Sequence, residues 1–209
     1  GQYLEVDGHV ELGERCRFRN HVILRTRGEG KILFGTYSGC GYYCILEATK
    51  LIKIGNFTGI AEFTVIRDTN HLVLGTDRHW RTTPHIAKPV IIGDCVMIGS
   101  RCYIGPGVTI GDGAVIAPGS IVTKDVGPYE VWAGAPARKI AHRTKGIPEM
   151  WRKQYQELLE TYGLKGAEYP YSDEEVRQAA AAGIDRAAQE RDRILKELGL
   201  AENENEGLF

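Results

Sequence analysis

The chain has 209 residues, with 26 lysines and arginines against 27 acids and a formal net charge of −1. That length fits one domain with an appendage, and balanced charge leaves no electrostatic footprint for nucleic acid. No apolar run approaches the roughly eighteen residues of a membrane span and no signal peptide is visible, so a soluble, cytoplasmic protein is expected.

From the first residues the chain carries a six-residue rhythm. Pairs of apolar residues two apart stand at Leu4/Val6, Val10/Leu12, Cys16/Phe18 and Val22/Leu24. The pattern resumes at Ile32/Phe34 and continues through Cys44/Leu46, Ile52/Ile54, Thr58/Ile60 and Thr64/Ile66. It is strictest at 90–124, where Ile92, Ile98, Ile104, Ile110, Ile116 and Val122 follow one another at six-residue steps. A smaller apolar series, Val90, Val96, Cys102, Val108 and Ala114, runs two residues ahead. Gly93, Gly99, Gly105 and Gly111 follow the first four of the large residues, as if to let the backbone bend. Residues six apart lie on opposite faces of an α-helix, which excludes an amphipathic helix. The turn residues also recur too often for hairpin-length strands. The period instead predicts a parallel β-helix, in which stacking of successive coils buries what one unit cannot.

The five cysteines are odd in number, and Cys16, Cys40, Cys44 and Cys102 fall on inward phases of the repeat. There a thiol serves as a small apolar residue, so neither disulfides nor a zinc site is expected. Between residues 67 and 89 the rhythm breaks for RDTNHLVLGTDRHWRTTPHIAKP. This excursion gathers Asp68, His71, Asp77, His79, Trp80 and His85, and long excursions from rigid scaffolds commonly carry function. His71 stands five residues past Ile66, close to the scaffold, whereas His79 and His85 are expected further out. Beyond about residue 127 the rhythm ends. Residues 149–162 and 172–200 read as helices: Trp151, Tyr155, Leu158, Leu159 and Tyr162 make a stripe, Ser172 and Glu175 fit a capping box, and Gly183 interrupts the second helix. These helices are expected to pack on the coil or on a neighbouring subunit, with a lid or acceptor-binding element as the sharper alternative.

The run from Ile92 to Val126, followed by Trp132-Ala-Gly-Ala-Pro-Ala-Arg138-Lys-Ile, resembles the hexapeptide-repeat acyltransferases, and is most similar to their sugar and polysaccharide O-acetyltransferases. The resemblance covers residues 4 to 141 and is most specific between 90 and 140. It implies a mainly β fold, a left-handed parallel β-helix of hexapeptide repeats with a C-terminal α-helical extension. Without it, the usual preference of parallel crossovers would favour the right hand. Two regions follow: 1–141 as the β-helix with its insertion at 67–89, and 142–209 as the helical extension.

The resemblance also implies chemistry. The family uses a histidine at the root of such a loop as general base, and Asp68-Thr69-Asn70-His71 matches that position. Acyl transfer from a thioester needs a base that is neutral near physiological pH, a condition imidazole meets. Asp68 or a backbone carbonyl is the expected partner of its other ring nitrogen, and a repeat-turn N–H is expected to steady the oxyanion. The implied catalytic set is His71, Asp68 and Asn70. Coenzyme A contacts are carried over to Ser100, Ala117, Pro118, Thr123, Lys124 and Arg138, with acetyl-CoA as co-substrate and no metal. Met97 stands where many relatives have tryptophan. A homotrimer with sites between subunits is likewise implied. Acceptor-side candidates are Tyr42, Tyr43, Glu62, Asn70 and Trp80.

The leading reading is transfer of acetyl to a hydroxyl of a sugar, nucleotide-sugar or polysaccharide precursor. N-acetylation of an amino-sugar nucleotide or an antibiotic is the alternative. A zinc-dependent carbonic anhydrase would need three histidines on adjacent coils, and the spacing does not supply them. A non-catalytic scaffold would use the prism faces alone, and the loop histidine with the Gly-Ala-Pro-Ala-Arg segment speaks against it.

Overall fold

A computed structural model describes residues 4–143 and 185–200. The six-residue unit folds as the period demands, into a parallel β-helix with three faces. Face A is a six-stranded sheet of β1 (Leu4–Asp7), β4 (Val22–Thr26), β7 (Ile45–Ala48), β10 (Val65–Arg67), β15 (Tyr103–Ile104) and β18 (Ile121–Val122). Face B holds β2 (His9–Leu12), β5 (Lys31–Phe34), β8 (Leu51–Ile54), β13 (Val90–Ile92) and β16 (Thr109–Ile110), continued by a bridge from Ile110 to Val126. Face C holds β3 (Arg17–Phe18), β6 (Gly39–Cys40), β9 (Gly59–Ile60), β14 (Met97–Ile98), β17 (Val115–Ile116) and β19 (Glu130–Gly134), closed by the antiparallel β20 (Ala137–His142). Each coil visits A, B and C in turn, and each strand pairs in parallel with its counterpart one coil away.

The interior is the predicted column. Ile92, Ile98, Ile104, Ile110, Ile116 and Val122 are buried, as are Val90, Val96, Cys102, Val108 and Ala114. Each large side chain so buried stabilises the fold by about 1.5–3 kcal/mol. The first coil departs from this: Leu4, Val6 and Leu12 are exposed, because among the described residues no coil covers their far side. Where hydroxyls replace apolar groups inside, they staple coils together. Thr58 Oγ1 donates to Gly93 O at 2.8 Å and accepts from Val96 N at 3.1 Å. Thr64 Oγ1 does the same with Gly99 O and Cys102 N, at 3.0 and 3.2 Å. The cysteines are free thiols, and the Cys44 and Cys102 sulfurs lie 3.0 and 3.3 Å from the carbonyls of Ala61 and Ala117.

The glycines after the large residues act differently from the expectation. Gly99 and Gly111 are not left-handed. A Cβ at either would lie 2.6 and 2.5 Å from the backbone nitrogens of Pro118 and Pro128 on the next coil, so close approach of coils requires them. The bend falls two residues later, on a left-handed residue just before each small inward side chain. Gly113 and Gly119 fill that position in the later coils, whereas Arg15, His21, Tyr37, Tyr43, Phe57, Phe63, Cys95 and Arg101 fill it earlier. Such backbone costs a non-glycine residue about 1–2 kcal/mol, and stacking along the edge offsets part of it. Tyr43 lies between His21 and Phe63 with ring centroids 4.7 and 5.3 Å away, and the Arg101 guanidinium covers Phe63.

Of the second expected helix, α1 (Arg186–Glu197) is described; positions 149–162 and 172–184 lie outside the described residues. Asp185 caps it by accepting from Ala188 N at 3.0 Å. Its Ile194 packs on Leu51 and Ile91 of face B, and its Arg191 pairs with Asp125 at 2.6 Å. This segment therefore packs on the coil.

Candidate active site at the edges of face A

The excursion leaves the coil at the edge between faces A and B. Asp68, fully buried, anchors its root: Oδ1 accepts from Thr49 N at 2.8 Å, and Oδ2 from Lys50 N at 2.6 Å and Leu51 N at 2.8 Å. Burial pushes this carboxyl above its ordinary range, and the three amides pull against that shift. The excursion returns beside its start, with Lys88 N donating to Asp68 O at 2.7 Å. Above this point the chain forms a hairpin of β11 (Thr69–His71) and β12 (His85–Ala87), in which His71 faces His85. The Asn70 side chain accepts from His71 N at 2.9 Å, which fixes the backbone at the base of the imidazole.

Three groups surround the His71 ring. Its centroid lies 4.0 Å from that of His85, and 5.2 Å from Trp80 in an edge-on arrangement. Its Nδ1 is 3.3 Å from Thr83 Oγ1. No hydrogen bond joins Asp68 to His71 among the described residues; the aspartate is engaged by the coil, and the expected tautomer partner is replaced by Thr83. His85 likewise departs from expectation, since hairpin pairing returns it to His71. His79, in contrast, accepts from Arg81 N at 3.3 Å and caps the short 3₁₀ turn Trp80–Thr82. The apolar Leu72, Val73 and Leu74 stand exposed beyond the hairpin.

The positions carried over for coenzyme A divide between two edges. Ser100 and Ala117-Pro118 occupy the same C–A edge on consecutive coils, tied by Gly119 N to Ser100 O at 2.8 Å. Arg138 follows beyond them, opposite Ala133 in the β19–β20 hairpin. Tyr42, Tyr43 and Glu62 lie on this edge too, since Phe63 N bonds to Tyr42 O and Arg101 N to Glu62 O. Thr123 and Lys124 lie instead on the A–B edge. Gly107 N bonds to Lys88 O and Gly105 N to Val122 O, so the end of the excursion, the Gly105–Gly107 turn and Val122–Lys124 stack coil upon coil. An open groove across face A, lined by Phe63, Arg67, Asn70, Arg101, Tyr103 and Ile121, joins the two edges. Sequence patterns did not single out Arg67, Arg101 and Tyr103; their outward phase beside the excursion was the available signal. Met97 projects from face C with 56% of its surface exposed.

Lys124 and Arg138 have no carboxylate partner among the described residues, and the Ser100 hydroxyl has no hydrogen-bond partner there. These are groups a phosphate-bearing, amide-bearing ligand can use. Among the described residues no group of three or more His, Cys, Asp or Glu side chains is placed to hold a metal ion. No helix there is long and apolar enough to cross a membrane.

Residues 89–124 match the family described as bacterial transferase hexapeptide (six repeats). Solved structures share the fold. AntD, an N-acyltransferase from Bacillus cereus solved with dTDP and 3-hydroxybutyryl-CoA, is 22% identical over 77% of this chain and 85% of its own, with a TM-score of 0.61. A hexapeptide-repeat acetyltransferase from Vibrio cholerae, complexed with acetyl coenzyme A, is 27% identical over 65% of this chain and 72% of its own, with a TM-score of 0.57. A galactoside acetyltransferase in complex with coenzyme A is 31% identical over 64% of this chain and 65% of its own, with a TM-score of 0.52. No curated protein matches the sequence.

Proposed function

We propose that this protein is an acetyl-CoA-dependent acetyltransferase whose acceptor is a hydroxyl of a sugar, nucleotide-sugar or polysaccharide precursor, with His71 as general base. One observation carries the reading: His71 stands on a hairpin rooted by the buried Asp68, and its Nε2 has no hydrogen-bond partner among the described residues. Likeness to a galactoside acetyltransferase supports the choice of a saccharide. Coenzyme A supplies an acyl group activated as a thioester. Nε2 accepts the proton of the acceptor hydroxyl as that oxygen attacks the thioester carbonyl. The proton passes to the coenzyme A sulfur as the C–S bond breaks, releasing the ester and the free thiol. Asn70 holds the backbone of the base, and Asp68 acts through the root of the hairpin rather than by touching the ring. Ser100, Ala117, Pro118 and Arg138 bind the cofactor along the C–A edge, with Thr123 and Lys124 contributing from the A–B edge.

In one chain, His71 and most of the cofactor positions stand at opposite edges of face A. A homotrimer resolves this separation by setting the A–B edge of one subunit against the C–A edge of the next. Tyr42, Tyr43 and Glu62 then meet the acceptor from the neighbouring chain, while Asn70 and Trp80 meet it from the chain that supplies His71. The exposed Leu72, Val73 and Leu74 give that contact an apolar surface.

The test is thiol release from acetyl-CoA, with sugars, nucleotide-sugars and amino sugars as acceptors. Acceptor-dependent release by the parent, lowered about 10²–10⁴-fold in His71→Ala with coenzyme A affinity kept, is the expected result. Arg138→Ala is expected to weaken coenzyme A binding by about 1–3 kcal/mol. Release with amine acceptors alone would replace O-transfer by N-transfer. Parent-like release by His71→Ala would remove the base assignment.

A further inference from the structure

We infer that Thr83 is a positioning residue that sets the proton of His71 on Nδ1 and so leaves Nε2 as the basic nitrogen; this rests on the reading of His71 as the base. The inference follows from counting protons. A threonine hydroxyl carries one hydrogen and can accept through its lone pairs. Thr83 Oγ1 donates that hydrogen to Trp80 O at 2.7 Å, across the 3₁₀ turn it terminates. Toward His71 Nδ1, 3.3 Å away, Oγ1 is then left to accept, and what it accepts is an N–H. In a neutral imidazole only one nitrogen carries hydrogen, so Nε2 keeps its lone pair.

The hydroxyl is well placed to impose this choice. Thr83 is 5% exposed, and its own N–H also donates to Trp80 O, at 3.2 Å. Leu72 N bonds to Pro84 O at 2.9 Å, so the chain carrying Thr83 is tied to the chain carrying His71 on the residue next to each. Trp80 and His85 flank the ring. When Nε2 takes the acceptor's proton the ring becomes an imidazolium. Nδ1–H still donates to Thr83, and the threonine hydrogen stays on the Trp80 carbonyl. Nothing in the relay has to reverse during turnover.

The test separates the tautomer from the reaction. Long-range nitrogen–proton correlation spectra of histidine-labelled protein, recorded above the imidazole titration range, should show His71 protonated on Nδ1, with its signals assigned by their loss in His71→Gln. Thr83→Val, nearly the same shape without the hydroxyl, should give a mixed or Nε2-protonated ring. Its kcat should fall about 10- to 100-fold while KM for both substrates stays within about twofold. Thr83→Ser keeps the hydroxyl and should restore both the spectrum and kcat. A parent His71 protonated on Nε2 would overturn the assignment, as would equal loss in the valine and serine variants. Full activity in His71→Ala would instead remove the base reading, with the spectrum still deciding what Thr83 does.

Discussion

Inside the coil, Thr58 and Thr64 each donate to and accept from a single turn of the next coil, so their hydroxyls are used between coils. On the excursion, His71 has one ring nitrogen against Thr83 and the other with no partner among the described residues. The coil uses these two hydroxyls to hold itself together, while the excursion leaves a basic atom without a partner among the described residues at a fixed point. Substitutions should therefore divide by region, with stability changing in the coil and turnover changing on the excursion.

The largest expected loss of stability is Ile104→Ala, deep in the column, at about 2–5 kcal/mol by denaturant midpoint. Turnover per folded molecule should stay near that of the parent; a matching loss of kcat would blur the division. Asp68→Asn comes next, at about 1–3 kcal/mol, because an amide donor is set against backbone N–H groups. Its cost should also vary with pH. The folded state holds the Asp68 proton more tightly than the ordinary value of 3.8, so that proton's stabilising contribution is full below 3.8 and is lost as pH rises through the raised value. The gap between parent and Asp68→Asn should accordingly be widest in acid and narrow toward neutrality. Tyr43→Gly is expected to shift stability by less than about 1 kcal/mol, since relief of a left-handed backbone offsets two lost stacking contacts. His71→Ala should shift it least, within about 0.5 kcal/mol, while it removes turnover.

Much of the scaffold was legible because a six-residue period admits few foldings. Ile92 to Val122 could be placed inward from spacing alone. Spacing does not say how closely coils approach, so Gly99 read as a bend when it is a close contact, and the left-handed role of Tyr43 and Phe63 was hidden behind their aromatic identity. The excursion was visible as a break, and Asn70 and His71 as its motif. Its internal geometry was not, because the hairpin pairs residues fourteen positions apart, His71 with His85, without a short turn signal. No sequence pattern singled out Thr83, for the same reason. Asp68 stood inside a motif that suggested chemistry, and only the coil beneath it shows three amides waiting for a carboxylate.

The two ends of the coil are finished differently. At one end β20 folds back on β19, and Trp132 and Ala137 close over the column. At the other, β1 and β2 have a coil on one side only among the described residues. In a stack of this kind each layer draws its stability from its neighbours, so the coil opens as a ladder with a loose first rung. Amide hydrogen exchange should therefore run inward from Leu4 and Val10 and slow coil by coil, with the amides of Met97 and Val115 exchanging only when the whole column opens.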